Sequence, residues 1–286
     1  MKIDLHLHTT YSDGKLDPDD LLVLSREKGY DVISITDHDN IEGYLSVKDK
    51  APDYNLTIIP GVEISSKFEE TEVHILAYFF DDTHPSLLSL LDFINENRIN
   101  RARAIVDKLS GLGVKLDIET LLSTTGKSGI VGRLHIARAL VDNNYCSSIR
   151  EAFDRYLHDR SPAFEPKVTL PAEKTIPMIQ SAGGISVLAH PHKLDNISVV
   201  LGLIDLGING LEVYCPKSSS YAVSLFEQLA REHELLTTGG SDFHGEQEEF
   251  YYYGKFSVPE EAYNEFYAFH EMISESSYQK NKKSQQ

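Results

Sequence analysis

The stretch KIDLHLHTTYSDG, residues 2–14, decides how the rest of the chain is read. Its first half alternates like a short strand, yet histidine fills positions 6 and 8, where a buried strand favours valine or leucine. Side chains at i and i+2 of a strand share a face, so His6 and His8 stand together while Leu5 and Leu7 face away. Two imidazoles on one face can chelate a cation or can be hydrogen-bonded core residues. Asp13 follows in the loop.

The same anomaly recurs downstream. VISITDHD (32–39) ends in Asp37, His38 and Asp39, and IIPGVEIS (58–65) carries Glu63 in an apolar run. EVHILAY (72–78) sets His74 between Val73 and Ile75, ISVLAHP (185–191) brings in His190, and TTGGSDFHG (237–245) brings in Asp242 and His244. Buried carboxylates are costly unless neutralised. Imidazole and carboxylate together suit first-row divalent ions such as Zn, Mn and Fe. His6, His8, Asp13, His38, Glu63, His74, His190, Asp242 and His244 are too many for one four-coordinate ion. They suit two or three metals with a bridging carboxylate. Such sites clamp the attacking and leaving oxygens of a phosphoryl group, so hydrolysis is the expected chemistry.

Around these positions, DPDDLLVLSREKGY (17–30) reads as a helix capped by Asp17, with Pro18 in its first turn. From about Pro85 to Tyr156 the strand–helix alternation gives way to a helical pattern divided by Gly111, Gly113, Gly126, Gly129 and Gly132. After Pro171 the alternation resumes with GISVLAH (184–190), NGLEVYC (209–215) and LLTTGGSDFH (235–244), and PEEAYNEFYAFHEMIS (259–274) closes it as a helix. FYYYGKF (250–256) reads as an edge strand or packing loop. Alternating strands and helices predict an α/β fold with a largely parallel sheet. The expected organisation is a discontinuous barrel domain over 1–84 and 171–275, an inserted helical substrate-binding subdomain over 85–170, and a disordered tail over 276–286.

In order and over most of the chain, DLHLHTTYSDG, SITDHD, PGVEIS, VHILAY, AHP and GSDFHG resemble the motifs of the polymerase and histidinol phosphatase (PHP) superfamily. The resemblance implies a distorted (β/α)7 TIM-like barrel with an inserted helical subdomain and a trinuclear site at its C-terminal mouth. It implies His6, His8, Glu63 and Asp242 on a first metal, Asp13, His38 and His244 on a second, and Glu63, His74 and His190 on a third. Two or three divalent ions are expected, Mn²⁺ ahead of Zn²⁺, Fe²⁺ or Mg²⁺.

GRLHIARALVDNNYCSSIREAFDRYL (132–157) and SPAFEPK (161–167) resemble the nucleotide phosphatase branch of that superfamily. That branch removes phosphate from nucleoside monophosphates or 3′,5′-bisphosphates, and some members trim short RNA from its 5′ end. It usually has proline at the position of Leu134 and tyrosine at that of Phe164. The implied reaction is hydrolysis of a nucleotide phosphate monoester by metal-activated water. Asp13 is then a catalytic ligand, and Arg133 and His135 grip phosphate, a guanidinium matching phosphate oxygens as a planar fork. His192 is the expected proton donor, and Lys193 lines the same mouth. Asp4, Asp37 and Asp39 are candidates to orient ligand imidazoles, although alternation turns Asp37 and His38 to opposite faces, and Ser65 and Tyr214 are further mouth candidates. The rival functions are a 5′-3′ exonuclease on short RNA, a histidinol-phosphate phosphatase, and a non-catalytic metal-binding scaffold. The helical insert argues against the histidinol phosphatase, and the full ligand set against the scaffold.

Composition narrows the partners. The 286-residue chain has a formal net charge of −17, which offers no basic stripe for an extended duplex. A small phosphorylated substrate, a nucleotide or short 5′-phosphorylated oligonucleotide, is the expected ligand. No run reaches the roughly 20 apolar residues of a membrane helix, and the N-terminus is a poor signal peptide. A cytoplasmic enzyme without membrane partners is expected. Cys146 and Cys215 are the only cysteines, too few and too far apart for a disulfide framework or thiolate zinc site.

Overall fold

A computed structural model describes residues 1–123 and 131–284, so Gly126 and Gly129, read above as helix breakers, lie outside the described residues. The chain forms two compact units, Met1–Leu90 with Leu170–Gln286, and Leu91–Thr169. In chain order the elements are β1 (Ile3–Leu7), α1 (Pro18–Glu27), β2 (Val32–Ile35), α2 (Glu42–Val47), β3 (Thr57–Phe68) and β4 (Thr71–Tyr78). There follow α3 (Pro85–Gly111), α4 (Ile118–Ser123), α5 (Arg133–Asp142) and α6 (Ile149–Ala152), with a π-helical turn at Phe153–Leu157. The chain then continues through β5 (Leu170–Pro171), α7 (Ala172–Ser181), β6 (Ile185–Leu188), α8 (Ile197–Asp205), β7 (Gly210–Tyr214), α9 (Ser220–Glu232), β8 (Leu236–Gly239) and α10 (Glu260–Ser284).

The sheet runs β1-β2-β3-β4-β6-β7-β8, with β5 against β3. Pairs β1/β2, β2/β3, β6/β7 and β7/β8 are parallel. β4 is antiparallel to both β3 and β6, a departure from uniform parallel pairing. Its cause is local: only Glu69 and Glu70 separate β3 from β4, with Phe68 paired to Thr71 and Glu69 at φ 52°. Parallel neighbours need a crossover of a dozen or more residues, whereas two residues make a hairpin. The strand count also differs from seven, because the two-residue β5 is an eighth. Among the described residues no ladder joins β1 to β8. Instead Leu7 and Phe243 form an isolated bridge, with His8 N donating to Phe243 O at 2.9 Å and Asp242 N to His6 O at 3.0 Å.

The apolar face of β1 reaches two cores along its length, with a register irregularity between Asp4 and Leu7. Ile3 and Leu5 join a core with Val32, Ile59 and Phe266 of α10, while Leu7 packs with Leu21 and Leu22 of α1. Burying one such leucine contributes about 2 kcal/mol. α1 forms as its sequence predicts, Asp17 accepting from Asp19 N and Pro18 starting the first turn. The second unit has its own core, including Ile105, Leu109, Leu121, Ile136, Leu140 and Leu157. Cys146 and Cys215 are buried free thiols. Residues 276–284 of the expected disordered tail continue α10. FYYYGKF is a turn, not a strand, and its Tyr253 is buried and stacked on Phe243 at 4.2 Å. No described helix is long and apolar enough to cross a membrane.

The turn after β8 passes hard against β1. A Cβ on Gly240 would stand 2.1 Å from His6 Cβ and 2.5 Å from His6 N. Gly240→Ala is therefore expected to destabilise the protein by about 1–3 kcal/mol, read as a lower thermal midpoint. An unchanged midpoint would contradict this close approach.

Candidate metal centre

Each anomalous residue reaches the same end of the sheet, for reasons of strand direction. His6 lies near the end of β1 and His8 just past it, while His38, His190 and Asp242 follow the ends of β2, β6 and β8. β4 runs the other way, so His74, near its start, arrives at that same end, opposite Ser65 of β3. The backbone bends sharply here. Asp39, His190 and Asp242 all adopt left-handed φ, 56°, 32° and 54°, a conformation unfavourable for L-residues that clusters at functional sites.

Glu63 is the hub. Its carboxylate is buried, and its two oxygens face different partners. Oε1 lies 2.9 Å from both His74 Nδ1 and His190 Nε2. Oε2 lies 3.3 Å from His6 Nε2, 3.3 Å from His8 Nε2 and 3.1 Å from His38 Nδ1, yet makes no hydrogen bond, and neither does His38 Nδ1. His6 Nε2 and His8 Nε2 are 3.0 Å apart. Asp242 Oδ1 stands 3.5 and 3.4 Å from those same nitrogens. Asp13 faces the outer rings, 3.3 Å from His244 Nε2, 3.7 Å from His38 Nε2 and 3.7 Å from His8 Nδ1.

These contacts fit divalent ions. Nitrogen ligands at 2.0–2.1 Å around a tetrahedral ion stand about 3.3 Å from each other, close to the spacings around Glu63 Oε2. Three sets have ligand atoms within 4.8 Å of one another: His6, His8 and Glu63; His8, Asp13, His38 and His244; and His38, Glu63 and His74. The sets overlap because His8 and His38 each present one nitrogen to Glu63 and the other to Asp13. His190 touches Glu63 Oε1 from outside these sets, Asp242 turns Oδ1 to His6 and His8, and Asp13 is half-exposed at 46%.

Electrostatics point the same way. Burial opposes ionisation of Glu63, but the surrounding imidazoles outweigh it and hold the carboxyl well below the usual range. Asp242 is likewise held low despite burial by His6 and His8, and the half-exposed Asp13 is held low by His244 and His38. Burial also disfavours a charged His6, yet Glu212, Glu63 and Asp242 push its pKa well above the ordinary value. His244 rises to about 9 against burial through its contact with Asp13. Burial takes His38 down to about 3, leaving a neutral ring. A cluster that draws protons onto imidazoles is one that calls for positive charge, which metal ions supply by displacing those protons.

The supporting residues differ from expectation. Asp37 bonds no imidazole; it accepts from Thr9 N at 2.7 Å, Thr9 Oγ1 at 2.6 Å and Ser12 Oγ at 2.6 Å, pinning the loop that carries Asp13. Asp4 accepts from Ser241 N, and Asp39 from Ser65 N, so both hold backbone. Tyr214 donates to Glu227 of α9. The residue missed is Glu212 of β7: buried, it takes His6 Nδ1 at 2.8 Å and His190 N at 2.7 Å. Its signal was present, since GLEVY (210–214) places an acid in an apolar strand as GVEIS (61–65) does.

Of the expected substrate contacts, Lys193 pairs with Asp242 Oδ2 at 2.7 Å. His192 follows His190 in the turn Pro191–Lys193, its Nδ1 buried without a hydrogen bond. In the second unit, Arg133 Nη1 donates to Leu157 O at 3.3 Å and lies 3.4 Å from Asp159 Oδ1. His135 Nδ1 accepts from Gly132 N at 3.2 Å, which caps its own helix.

The PHP domain signature matches residues 4–159. The chain is 32% identical to a 5′-3′ exoribonuclease from Haemophilus influenzae, over 85% of this chain and 90% of that protein. It is 29% identical to a 3′,5′-nucleoside bisphosphate phosphatase from Chromobacterium violaceum, over 85% and 87% respectively. Among solved structures, a Bifidobacterium adolescentis protein assigned as a metal-dependent phosphoesterase superposes with a TM-score of 0.76 at 26% identity, covering 92% of this chain and 94% of its own.

Asp13→Ala is expected to lower the metal content measured by elemental analysis. Glu212→Gln is expected to weaken metal affinity about 10–100-fold, as loss of an imidazole's orienting carboxylate does elsewhere, measured by chelator competition. Unaltered stoichiometry and affinity would remove these residues from the centre.

Proposed function

Because the chain belongs to the PHP domain family of metal-dependent phosphoesterases, we propose that it hydrolyses the phosphate monoester of a nucleotide, either a nucleoside monophosphate or a 3′,5′-bisphosphate. The observation that carries this reading is the divided carboxylate of Glu63, whose oxygens face two separate imidazole sets. A carboxylate so placed would offer one oxygen to each of two ions. When bound, two or three divalent ions, Mn²⁺ foremost, supply Lewis acidity toward the phosphoryl oxygens and lower the pKa of water.

The chain's own residues do the rest. His6, His8, Glu63 and Asp242 would hold one ion, Asp13, His38 and His244 a second, and Glu63, His74 and His190 a third. Glu212 fixes the His6 ring so that Nε2 points inward. Lys193 keeps one oxygen of Asp242 neutralised, leaving the other for a metal. Arg133 grips a substrate phosphate, since its long contact with exposed Asp159 is a surface pair worth about 1 kcal/mol or less. His192, in the turn directly after His190, is the group assigned to donate a proton to the leaving oxygen.

A second reading is 5′-3′ trimming of short RNA, favoured by the 32% identity to the exoribonuclease. Both reactions attack phosphorus with water and differ in the leaving group. Phosphate and nucleotide release should be measured with Mn²⁺, Mg²⁺ or Zn²⁺ from nucleoside monophosphates, 3′,5′-bisphosphates, histidinol phosphate and 5′-phosphorylated oligonucleotides. Turnover of the mononucleotides is the expected result, and cleavage confined to oligonucleotides would favour the second reading. No release from any substrate would sink both. Arg133→Ala is expected to raise KM about tenfold or more, with metal content retained; unaltered kinetics would leave Arg133 a structural role through Leu157 O and Asp159.

A further inference from the structure

The turn that carries His192 joins the metal centre to an apolar cleft. His190 touches Glu63 Oε1 at 2.9 Å, and Lys193 pairs with Asp242 Oδ2 at 2.7 Å. Pro191 and His192, between them in sequence, are thus held at the edge of the centre from both sides. The same two residues form one wall of a cleft of about 280 Å³. Its other walls are the N-terminal halves of α8 and α9. β6 and β7 are parallel, and each leads into one of these helices, so both helices start at the end of the sheet that gathers the histidines. Crevices outside the carboxyl ends of parallel strands are where α/β proteins bind ligands.

Helix caps build the cleft. Asn196 accepts from Ser198 N at 2.9 Å, and Ser219 from Ala222 N at 3.1 Å. These caps fix where α8 and α9 begin, and so where Ile197 and Tyr221 stand. Residues three and four apart share a helix face. Tyr221 and Leu225 line the cleft from α9, and Ile197 and Val200 line it from α8, with the buried Phe226 among them. Tyr221 is 77% exposed and Ile197 41%, apolar surface that a ligand gains free energy by covering.

The lining selects the occupant. No lysine or arginine lines the cleft, and its one carboxylate is Asp195, so the site is not made for phosphate. Pockets for drug-sized ligands run to about 300–1,000 Å³. This one suits a single flat ring system rather than a whole nucleotide or a protein segment. An exposed tyrosine beside aliphatic side chains offers such a ring a stacking surface.

We infer that the cleft seats the nucleobase of the substrate, stacked on Tyr221, while the ester phosphate lies at the metal centre. The leaving oxygen of a nucleotide lies between phosphate and base, as His192 lies between centre and cleft. The inference rests on the phosphoesterase reading for the nucleotide, and adds the place and the residue that recognise its base.

The test compares substrates that differ only in the base, on the metal-loaded full chain. KM is measured for the nucleotide that is turned over and for its base-free counterpart: ribose 5-phosphate for a 5′-monophosphate, or a strand with an abasic 5′ end for an oligonucleotide. Where the counterpart is not turned over, its inhibition constant takes the place of KM. Tyr221→Ala is expected to raise KM for the nucleotide about tenfold relative to the base-free value, with metal content retained. Tyr221→Phe, which keeps the ring, is expected to restore the wild-type ratio. An unaltered ratio in Tyr221→Ala overturns the inference, and a wild-type dimer that dissociates in that variant would then assign the cleft to a second copy of the chain. Should the wild type hydrolyse no nucleotide, the reading of its activity fails separately, and adenosine binding followed by saturation-transfer NMR decides the cleft. Binding to the wild type that is lost in Tyr221→Ala upholds the inference; no binding, or binding that persists in the variant, overturns it.

Discussion

Glu63 is a carboxylate buried out of reach of bulk solvent. An unpaired buried charge is among the costliest features a fold can carry, and here five imidazole nitrogens within 3.3 Å of its oxygens offset it. Those imidazoles come from β1, the ends of β2 and β6, and β4, so strand directions, hairpin and closing bridge all serve one placement. The left-handed backbone at His190 and Asp242 adds strain of order 1–3 kcal/mol each, sustained because Glu212 ties down the His190 amide and Asp4 that of Ser241, next to Asp242. Removing one member of such a group leaves the others charged and unpaired, which is why the cluster behaves as a unit.

The cluster was legible because polar residues in apolar strands are costly and therefore conspicuous. His6, His8, Glu63 and His74 stood out for that reason, and the resemblance of their motifs supplied the grouping. Glu212 carried the same mark and was passed over, since an acid meeting a ring nitrogen looks, in one dimension, like any buried acid. Strand direction left no trace in hydrophobic pattern, so the reversal of β4 showed only as the lack of a helix between Ser65 and Glu72. Asp37 followed the alternation rule in facing away from the face of His38. Its grip on Thr9 and Ser12 depends on a loop 25 or more residues earlier.

The pairing of β4 with β6 joins Tyr78 to Ile185, across about a hundred residues that mostly belong to a unit with its own core. Closing a loop costs entropy that grows only with the logarithm of its length, about 0.6 kcal/mol per doubling. The ladder is therefore nearly indifferent to how long the intervening segment is. Lengthening, shortening or recasting that segment leaves the strands that carry the histidines almost undisturbed. Divergence in length and sequence is thus thermodynamically cheap in the second unit, while one residue of slippage in β1 would turn His6 and His8 out of the cluster altogether.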